Sequence, residues 1–524
     1  PVSMQQAWRR FYFFEKSIVK DPAGEDEAKK VHADRAPHTV ISQLPTLCTA
    51  SSTSGLGFGD STGSITLLNR NFRSSYFQAY QVQVTHLYKH KHNSILISIG
   101  DDDRVNKGIM KIWNIENPEK PVLIRTNRLF TNKVPKGTIR CIAVHEDLNF
   151  FACGLSNGHV ILLRGDITRS RYATRVFKLD KSTITGLHIC WYKPDKTSPK
   201  TLVLYATSEH SAFSMLLGGK QEDMKQIAHS GCREKCSTVS PIGRLVVGGD
   251  SVVTFYDPVG DTPIKSFAID GHKQMITWLR SYLVVCHGNK ENRSVAKHQL
   301  NVYDPENQFI AYTGMFTQVN DLLWAWGSIF VLSNEAVKSG GFVPRLYELT
   351  EKDTPSKLEI LFKMNLYAIA INLVRNSKSF NQRYINDIYK EFADHLYQKK
   401  NFNEAIKKYV KTIGRLEPSY VIRKFLDSQR IDNLTQYLEV LHIKRAATSD
   451  HTTLLLNCYT KLKAEKKIEH FIKSSNQESS AVNFDVETAI KVCRQAGYLQ
   501  FARDLALRHD SYEWYLRILI EDRG

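Results

Sequence analysis

The chain has 524 residues, of which 42% are hydrophobic and 24% charged, and its formal net charge is +18. This composition is typical of globular proteins with several domains, and it excludes collagen-like, coiled-coil and wholly disordered chains. No apolar run approaches the ~20 residues that span a bilayer. The nine cysteines are odd in number and scattered, which favours reduced thiols over a disulfide framework.

Short strands, separated by Gly, Asn and Asp, fill the chain up to about residue 350. An apolar strand, a small polar turn and a second apolar strand recur seven times, and most units follow another extended run. Blades bury both faces of their sheets only by stacking around an axis, so this period predicts a seven-bladed β-propeller. The segment KIWNI from Lys111 resembles the WD dipeptide of WD repeats, which indicates a WD40-like propeller. The seven units begin at Gly55, Ile95, Phe150, Leu202, Arg244, Tyr282 and Ile329.

One extended run, WRRFYFFEKSIV, precedes the first unit. We expect residues 8–19 to pair into the last blade and so to close the ring. A closed ring leaves no open strand edge for aggregation.

The hydrophobic period changes to 3.6 residues from about Leu358, which predicts successive helical hairpins that stack as an α-solenoid. The predicted domains are a propeller over 1–350, a linker over 351–357 and the solenoid over 358–524. Helix signals agree, with Pro418 at a helix start, Asp485 and Asp510 as N-caps, and Gly497 just after a helix. One hairpin is predicted to pack Ala393, Leu396, Tyr397, Ala405, Ile406 and Tyr409 between its two helices.

Four motifs that could carry chemistry are interpreted as ordinary turns. Ser156 stands in GLSNG, but a strand follows it where a nucleophile elbow needs a helix. The glycines from Gly55 also lead into a strand, so they do not form a phosphate loop. His229, Cys232 and Cys236 give three ligands where structural zinc needs four, and GDDDR at 100–104 lacks the calcium-loop pattern. We therefore expect no catalytic, cofactor or metal residue in these 524 residues.

A basic segment follows the third unit. Arg164, Arg169, Arg171 and Arg175 lie within RGDITRSRYATR. Such a segment can attract anionic lipid headgroups or an acidic partner, although an ordinary solvated surface has the same composition. Nucleic acid is not expected as a partner, because no recognisable nucleic-acid-binding module accompanies the charge.

Several longer segments resemble the family of vacuolar protein sorting-associated protein eleven, a class C core subunit of the HOPS and CORVET tethering complexes. They include WRRFYFFEKSIVKDP, VHEDLNFFACGLSNGHVILLRGDITR and LEPSYVIRKFLDSQRIDNLTQYLEVLH. The resemblance runs from about Trp8 to Glu521. It implies a clathrin heavy-chain-like repeat in the solenoid and a non-enzymatic scaffold function in tethering before SNARE-driven membrane fusion.

The same resemblance implies partners and a location. The partners would be other class C subunits and, indirectly, Rab and SNARE proteins. The location would be cytoplasmic, peripheral on endosomes and the lysosome or vacuole. The family also implies a zinc-binding RING domain, with a potential for ubiquitin-ligase activity, beyond Gly524. The last predicted helix, YEWYLRILI, is too apolar to cap a solenoid, so we expect the sequence to be an N-terminal fragment.

Two other functions of a propeller and solenoid remain open. One is a coat or cargo-adaptor subunit of similar shape. The other is a propeller that recognises phosphoinositides or phosphopeptides, which would need clustered Arg and Lys on one propeller surface.

Overall fold

The structure of the protein is a computed structural model. Its residues form two compact units that divide between Lys352 and Asp353. Strands dominate the first unit and helices the second, as the change of hydrophobic period predicts. The structure describes residues 8–20, 41, 43, 46–103, 107–130, 135–169, 171–195, 197–218, 223–288, 297–336, 341–376, 382–474 and 486–521.

The first unit is a seven-bladed β-propeller, which confirms the fold predicted from the repeats. Its chain begins with two short strands, β1 (Arg9–Arg10) and β2 (Phe14–Ile18). In the described residues, blades one to five are four-stranded antiparallel sheets whose spatial order follows the chain. The first strands of neighbouring blades pack against one another and therefore lie innermost.

The first three blades contain twelve strands with turns of varied length between them. Blade one has β3 (Thr46–Ser52), β4 (Gly55–Asp60), β5 (Ser64–Leu68) and β6 (Ser74–Gln78); blade two has β7 (Gln83–Lys89), β8 (Ile95–Asp101), β9 (Ile109–Asn114) and β10 (Val122–Arg128); blade three has β11 (Ile139–Val144), β12 (Phe150–Leu155), β13 (His159–Asp166) and β14 (Arg171–Lys178).

Blades four to seven continue the same pattern. Blade four has β15 (Ile184–Tyr192), β16 (Thr201–Ser208), β17 (Ala212–Leu217) and β18 (Lys225–Ala228); blade five has β19 (Ser237–Val239), β20 (Leu245–Gly248), β21 (Val252–Tyr256) and β22 (Lys265–Ala268); blade six has β23 (Lys273–Leu279), β24 (Tyr282–His287), β25 (His298–Asp304) and β26 (Phe309–Phe316); blade seven has β27 (Gln318–Ala325), β28 (Ser328–Ala336) and β29 (Phe342–Glu351).

The N-terminal strands complete the ring. β2 pairs antiparallel with β29 as the outermost strand of blade seven, which confirms the predicted closure. β1 adds a fifth strand to blade six by pairing in parallel with β26, an addition that the sequence did not predict. Between the two strands, Phe11 and Phe13 are 2% and 0% exposed and pack edge-on against Phe309.

The segment that resembles a WD dipeptide cross-links blade two. Nε1 of Trp113 donates a hydrogen bond to Oγ of Ser98 at 2.9 Å. The Tyr80 hydroxyl lies 2.9 Å from the same oxygen, and all three residues are buried. Buried polar groups are retained when they are hydrogen-bonded, so these side chains connect β8 and β9 to the segment before β7.

The second unit consists of helical hairpins, which confirms the predicted solenoid. Among the described residues, a 3₁₀ turn, Val410–Thr412, follows the fourth α-helix. The described helices are α1 (Thr354–Lys363), α2 (Tyr367–Asn376), α3 (Gln382–Gln398), α4 (Phe402–Tyr409), α5 (Pro418–Asp427), α6 (Ile431–Ile443), α7 (Ser449–Lys461), α8 (Glu465–Ser474), α9 (Val486–Gln495), α10 (Leu499–Arg508) and α11 (Tyr512–Glu521).

The chain between the two units is shorter than the linker predicted at 351–357. β29 ends at Glu351 and α1 begins at Thr354. Asp353 caps α1 by accepting a hydrogen bond from the Ser356 backbone N–H, and Pro355 occupies the first turn. Proline is favourable at that position because its nitrogen has no hydrogen to leave unpaired.

The other helix signals give mixed results. Pro418 begins α5 as predicted, and Gly497 follows α9 with a φ of +84°. The prediction that Asp510 is an N-cap is wrong, because its φ of +54° places it in the left-handed turn after α10. Asp485 lies outside the described residues.

A continuous hydrophobic cluster extends along the stacked helices from α3 to α11. The predicted packing between α3 and α4 is confirmed, since Ala393, Ala405, Ile406 and Tyr409 are each 0% exposed. Leu396 and Tyr397 are partly buried against the same cluster.

Candidate interaction surface on the propeller

The predicted basic segment forms the outer edge of blade three. β13 ends at Asp166, a 3₁₀ turn covers Ile167–Arg169, and β14 then returns along β13. The Asp166 carboxylate accepts hydrogen bonds from the backbone N–H groups of Thr168 and Arg169 at 2.9 and 3.2 Å. Gly165 precedes it with a φ of +127°, and a Cβ there would collide with a backbone carbonyl of β14. The turn therefore has a defined conformation that positions the flanking arginines.

Three of the four predicted arginines lie on one face of this hairpin. Arg164 is opposite Ala173 in the strand register, and Arg171 and Arg175 are two residues to either side of Ala173. Residues two apart on a strand share a face. The three arginines are therefore neighbours, and all three are exposed.

Arg169 lies at the end of the hairpin instead. Its side chain is 72% exposed, with Nε 3.4 Å from Oδ2 of Asp166. The hydrogen bond from the Thr168 hydroxyl holds the pKa of Asp166 below its ordinary value, and backbone N–H groups and Arg169 add to this effect. Asp166 is thus ionised at neutral pH, but it is the single acidic residue among five basic ones in 159–178.

The outer strand of blade two extends this surface. Asn127 of β10 donates a hydrogen bond to the carbonyl of Ile167 at 3.4 Å. β10 also carries two exposed arginines, Arg125 and Arg128, beside three exposed apolar side chains. We name β10 together with residues 164–169 and 171–178 the blade 2–3 rim. The exposed apolar residues are Val122 at 63%, Leu123 at 45% and Ile124 at 41%.

Sequence reasoning found the basic part of the rim but missed its apolar part. The run VLI predicts a strand but does not show which of its side chains are exposed. A bulge between Leu123 and Arg125 also removes the regular alternation of side chains between the two faces of the sheet. The position of this run in its unit could have predicted the exposure, because the fourth run of a unit becomes the outermost strand of a blade.

Guanidinium groups bind phosphate and carboxylate through paired N–H donors, so the rim is suited to an anionic surface.

A second charged cluster crosses the axis of the ring. Lys235, just before β19, lies 3.1 Å from Asp321 of β27, which also accepts a 2.7 Å hydrogen bond from Thr49 of β3. Arg140 of β11 lies 3.5 Å from Glu234. These contacts connect the inner parts of blades one, three, five and seven. We interpret the cluster as a brace for the ring, since its charges are paired with one another.

Two of the motifs interpreted as turns are hairpins in the structure. Ser156 lies between β12 and β13, and its Oγ accepts a 3.3 Å hydrogen bond from the Thr138 backbone N–H. In the glycine-rich segment from Gly55, the Asp60 carboxylate caps the turn between β4 and β5. A strand leaves each turn, so neither a nucleophile elbow nor a phosphate loop is formed.

The residues considered as metal ligands have other partners. Nδ1 of His229 lies 3.1 Å from a glutamine amide, and Sγ of Cys236 donates to the carbonyl of Lys273 at 3.4 Å. Burial raises the pKa of Cys236 to about 12 and also raises that of Cys232. In the described part of the chain, His, Cys, Asp and Glu form no group of three or more that could hold a metal ion.

The acidic turn GDDDR is also tied into blade two. Asp101 accepts a hydrogen bond from the Gly108 backbone N–H at 3.0 Å, and Asp102 lies 2.9 Å from Lys111. Arg104 lies outside the described residues.

Comparison with known protein families assigns both units to the same family. The model described as "PEP5/VPS11 N-terminal" matches residues 8–337, and "PEP5/VPS11 Clathrin repeat" matches residues 397–524. The chain belongs to the PEP5/VPS11 family. The first match spans all seven blades as far as β28, and the second spans the end of α3 and all later helices.

Curated relatives agree with this assignment. The chain is 41% identical to the vacuolar protein sorting-associated protein 11 homologs of Mus musculus and Homo sapiens, with 98% of the chain and 55% of each relative covered. It is 36% identical to the homolog of Dictyostelium discoideum at the same coverage. The chain thus spans about half the length of these PEP5/VPS11 relatives. No helix among the described residues is long and apolar enough to cross a membrane.

Proposed function

We propose that this PEP5/VPS11 chain is part of a non-enzymatic scaffold subunit of the HOPS and CORVET tethering complexes. The subunit would act in docking and fusion of endosomal vesicles with the lysosome or vacuole, including autophagic vesicles. The observation that carries this proposal is the match of both structural units to one family whose relatives are named for vacuolar protein sorting. A propeller and a solenoid offer large surfaces for other subunits.

The proposal includes partners and a location. The direct partners are other class C vacuolar protein sorting subunits, with Rab and SNARE proteins bound indirectly. The subunit is peripheral on early and late endosomes and on the lysosome or vacuole, facing the cytoplasm. In the full-length protein, a zinc-binding RING domain would follow these residues, and any ubiquitin-ligase activity would belong to it.

Affinity purification of the tagged full-length protein from cells tests the assignment. We expect the other class C subunits to be recovered in amounts close to that of the tagged protein. Recovery of coat or cargo-adaptor subunits in their place would contradict the tethering proposal and favour the coat alternative.

The blade 2–3 rim supports a second, weaker activity, the recognition of anionic lipid headgroups. Arg164, Arg171 and Arg175 share one face beside exposed apolar residues of β10. Each basic residue near an anionic membrane contributes ~1 kcal/mol, and this attraction is screened beyond ~8 Å at physiological salt. The rim would therefore assist recruitment by partner proteins without replacing it.

Co-sedimentation with phosphatidylserine vesicles tests the rim. Binding should be weak at low salt, disappear at physiological salt, and decrease when Arg164, Arg171 and Arg175 are replaced by Glu. The matched control replaces three exposed basic residues of the second unit by Glu and should retain binding. Salt-resistant binding to neutral vesicles, or equal losses in both triple variants, would contradict the proposed contact. The control residues are Lys399, Arg423 and Lys466.

A further inference from the structure

A polar groove runs across three successive hairpins of the second unit. It has a volume of 480 Å³ and is formed by α4, α6 and α8, the second helices of their hairpins. Ligand sites in proteins commonly have volumes of about 300–1,000 Å³. The groove is therefore large enough for several residues of a bound chain.

The helix at the centre of the groove buries polar as well as apolar side chains. On α6, Leu438 and Leu441 are 0% exposed and pack into the solenoid core. Asn433 and Thr435 line the groove and are 8% and 2% exposed. Asparagine is rarely buried to this extent unless its side-chain amide is hydrogen-bonded, because removing an unpaired amide group from water is costly.

Two asparagines from neighbouring hairpins meet in the groove. Nδ2 of Asn433 donates a 2.7 Å hydrogen bond to Oδ1 of Asn403. Within the described residues, Oδ1 of Asn433 and Nδ2 of Asn403 have no further hydrogen-bond partner. The pair thus offers one acceptor and one donor, which complement the N–H and C=O groups of a peptide backbone. Gln436 lies one helical turn from Asn433 on the same groove wall and can extend this pattern.

Both lysines that line the groove are paired with carboxylates. Lys467 lies 3.0 Å from Glu439, and Lys407 lies 2.7 Å from Glu404. Asp432 adds a further carboxylate to the wall, and Leu462 is the apolar lining residue. A polyanion such as a phosphoinositide gains little from lysines that are already paired, and an apolar small molecule finds few contacts. A polypeptide with a polar main chain fits this lining better than either.

We propose that the groove formed by α4, α6 and α8 binds an extended segment of a partner polypeptide, mainly through hydrogen bonds between the segment's main chain and Asn403 and Asn433. The inference goes beyond the tethering function and does not depend on it. Main-chain recognition in an extended conformation is a common mode of peptide binding.

Selection from a phage-displayed library of random linear peptides tests the groove on the 524-residue chain. Recovered peptides are synthesised, and their dissociation constants are measured by fluorescence anisotropy. Asn433→Leu should weaken binding by about tenfold or more, as expected for the loss of a hydrogen-bonding group in a buried site. N-methylation of a central peptide bond should weaken binding similarly, whereas replacement of single peptide side chains by Ala should matter less.

Control variants separate recognition from folding. Asn457→Leu makes the same change on α7, outside the groove, and should leave binding unchanged. Gln436→Ala alters an exposed residue and should weaken binding without changing the melting temperature, so the test does not rest on Asn433 alone. The proposal is overturned if no peptide is enriched, or if enriched peptides bind the groove variants normally. It is also overturned if binding is lost only on charge reversal of the blade 2–3 rim.

Discussion

Asp394 connects several polar groups of the solenoid. Its carboxylate accepts hydrogen bonds from the hydroxyls of Tyr409 at 2.5 Å and Tyr420 at 2.9 Å, and from Lys424. Burial alone would raise the pKa of Asp394, but the hydrogen bonds from Lys424 and the two tyrosines outweigh it and hold the pKa below its ordinary value. The residue therefore stabilises the fold in its ionised form.

The substitution Asp394→Asn should lower the stability of the second unit by about 2 kcal/mol at neutral pH, because a charged acceptor of several hydrogen bonds is lost. A carboxylate with a lowered folded pKa contributes stability that is present above the unfolded pKa of ~3.9 and is lost as pH falls through the folded pKa. The stability difference between wild type and variant should therefore shrink as pH falls below about 4. Chemical unfolding followed by circular dichroism at several pH values measures this difference.

Asp387→Asn is the matched control for that measurement. Asp387 lies on the same helix, α3, but is exposed, so its replacement should have little effect at any pH. A stability difference for Asp394→Asn that does not depend on pH would contradict the role assigned to its charge.

At the scale of single elements, the N-terminal segment shows how ring closure depends on side-chain burial. Phe13 is 0% exposed between β1 and β2, whereas the adjacent Tyr12 is 67% exposed. Phe13→Ala should destabilise the propeller by about 3–5 kcal/mol, because it leaves a cavity in a packed core. Tyr12→Ala should change stability by less than about 0.5 kcal/mol. Equal effects of the two substitutions in thermal unfolding would contradict the packing of this segment.

The helix ends of the solenoid share one conformation. Within the described residues, the second residue after the end of a helix has a positive φ at seven turns, and six of these seven residues are not glycine. This left-handed conformation costs roughly 1–2 kcal/mol for residues with a Cβ, so a glycine should be favourable there. The seven residues are Asn365, Lys400, Gln429, Arg445, Lys463, Gly497 and Asp510.

Gln429→Gly should therefore stabilise the second unit by about 0.5–1 kcal/mol, since Gln429 has a φ of +53° after α5. The control Arg423→Gly, at an exposed position inside α5, should destabilise it by about 1 kcal/mol. Denaturant unfolding of both variants measures the change in the free energy of unfolding, which should increase for Gln429→Gly and decrease for Arg423→Gly. Destabilisation by Gln429→Gly would contradict the assigned helix end.

Across the whole molecule, the sequence predicts the elements that follow from the local hydrophobic period. It does not predict the side-chain contacts between residues that are distant in the chain. The seven blades and the helical hairpins follow from strand alternation and helical spacing. The contacts of Asp394 could not be predicted, because Tyr409, Tyr420 and Lys424 come from later helices. The pairing of Asn403 with Asn433 depends in the same way on the stacking of hairpins. The exposure of Val122 to Ile124 depends on which strand of a blade is outermost.

The family assignment places both units in one kind of subunit. A braced propeller with a basic rim and a solenoid with a polar groove each present a surface for other molecules. We expect these surfaces to serve the assembly and membrane approach proposed above. The central proposal is therefore that the PEP5/VPS11 subunit acts by holding other components in position.

Vesicle clustering by the reconstituted tethering complex tests this proposal most directly. Complex assembled with the full-length protein is mixed with vesicles that carry endosomal lipids and the cognate Rab and SNARE proteins, and clustering is followed by dynamic light scattering. The proposal predicts rapid clustering that is lost when the protein is omitted, although the remaining subunits still bind vesicles singly. Undiminished clustering without the PEP5/VPS11 subunit would contradict it.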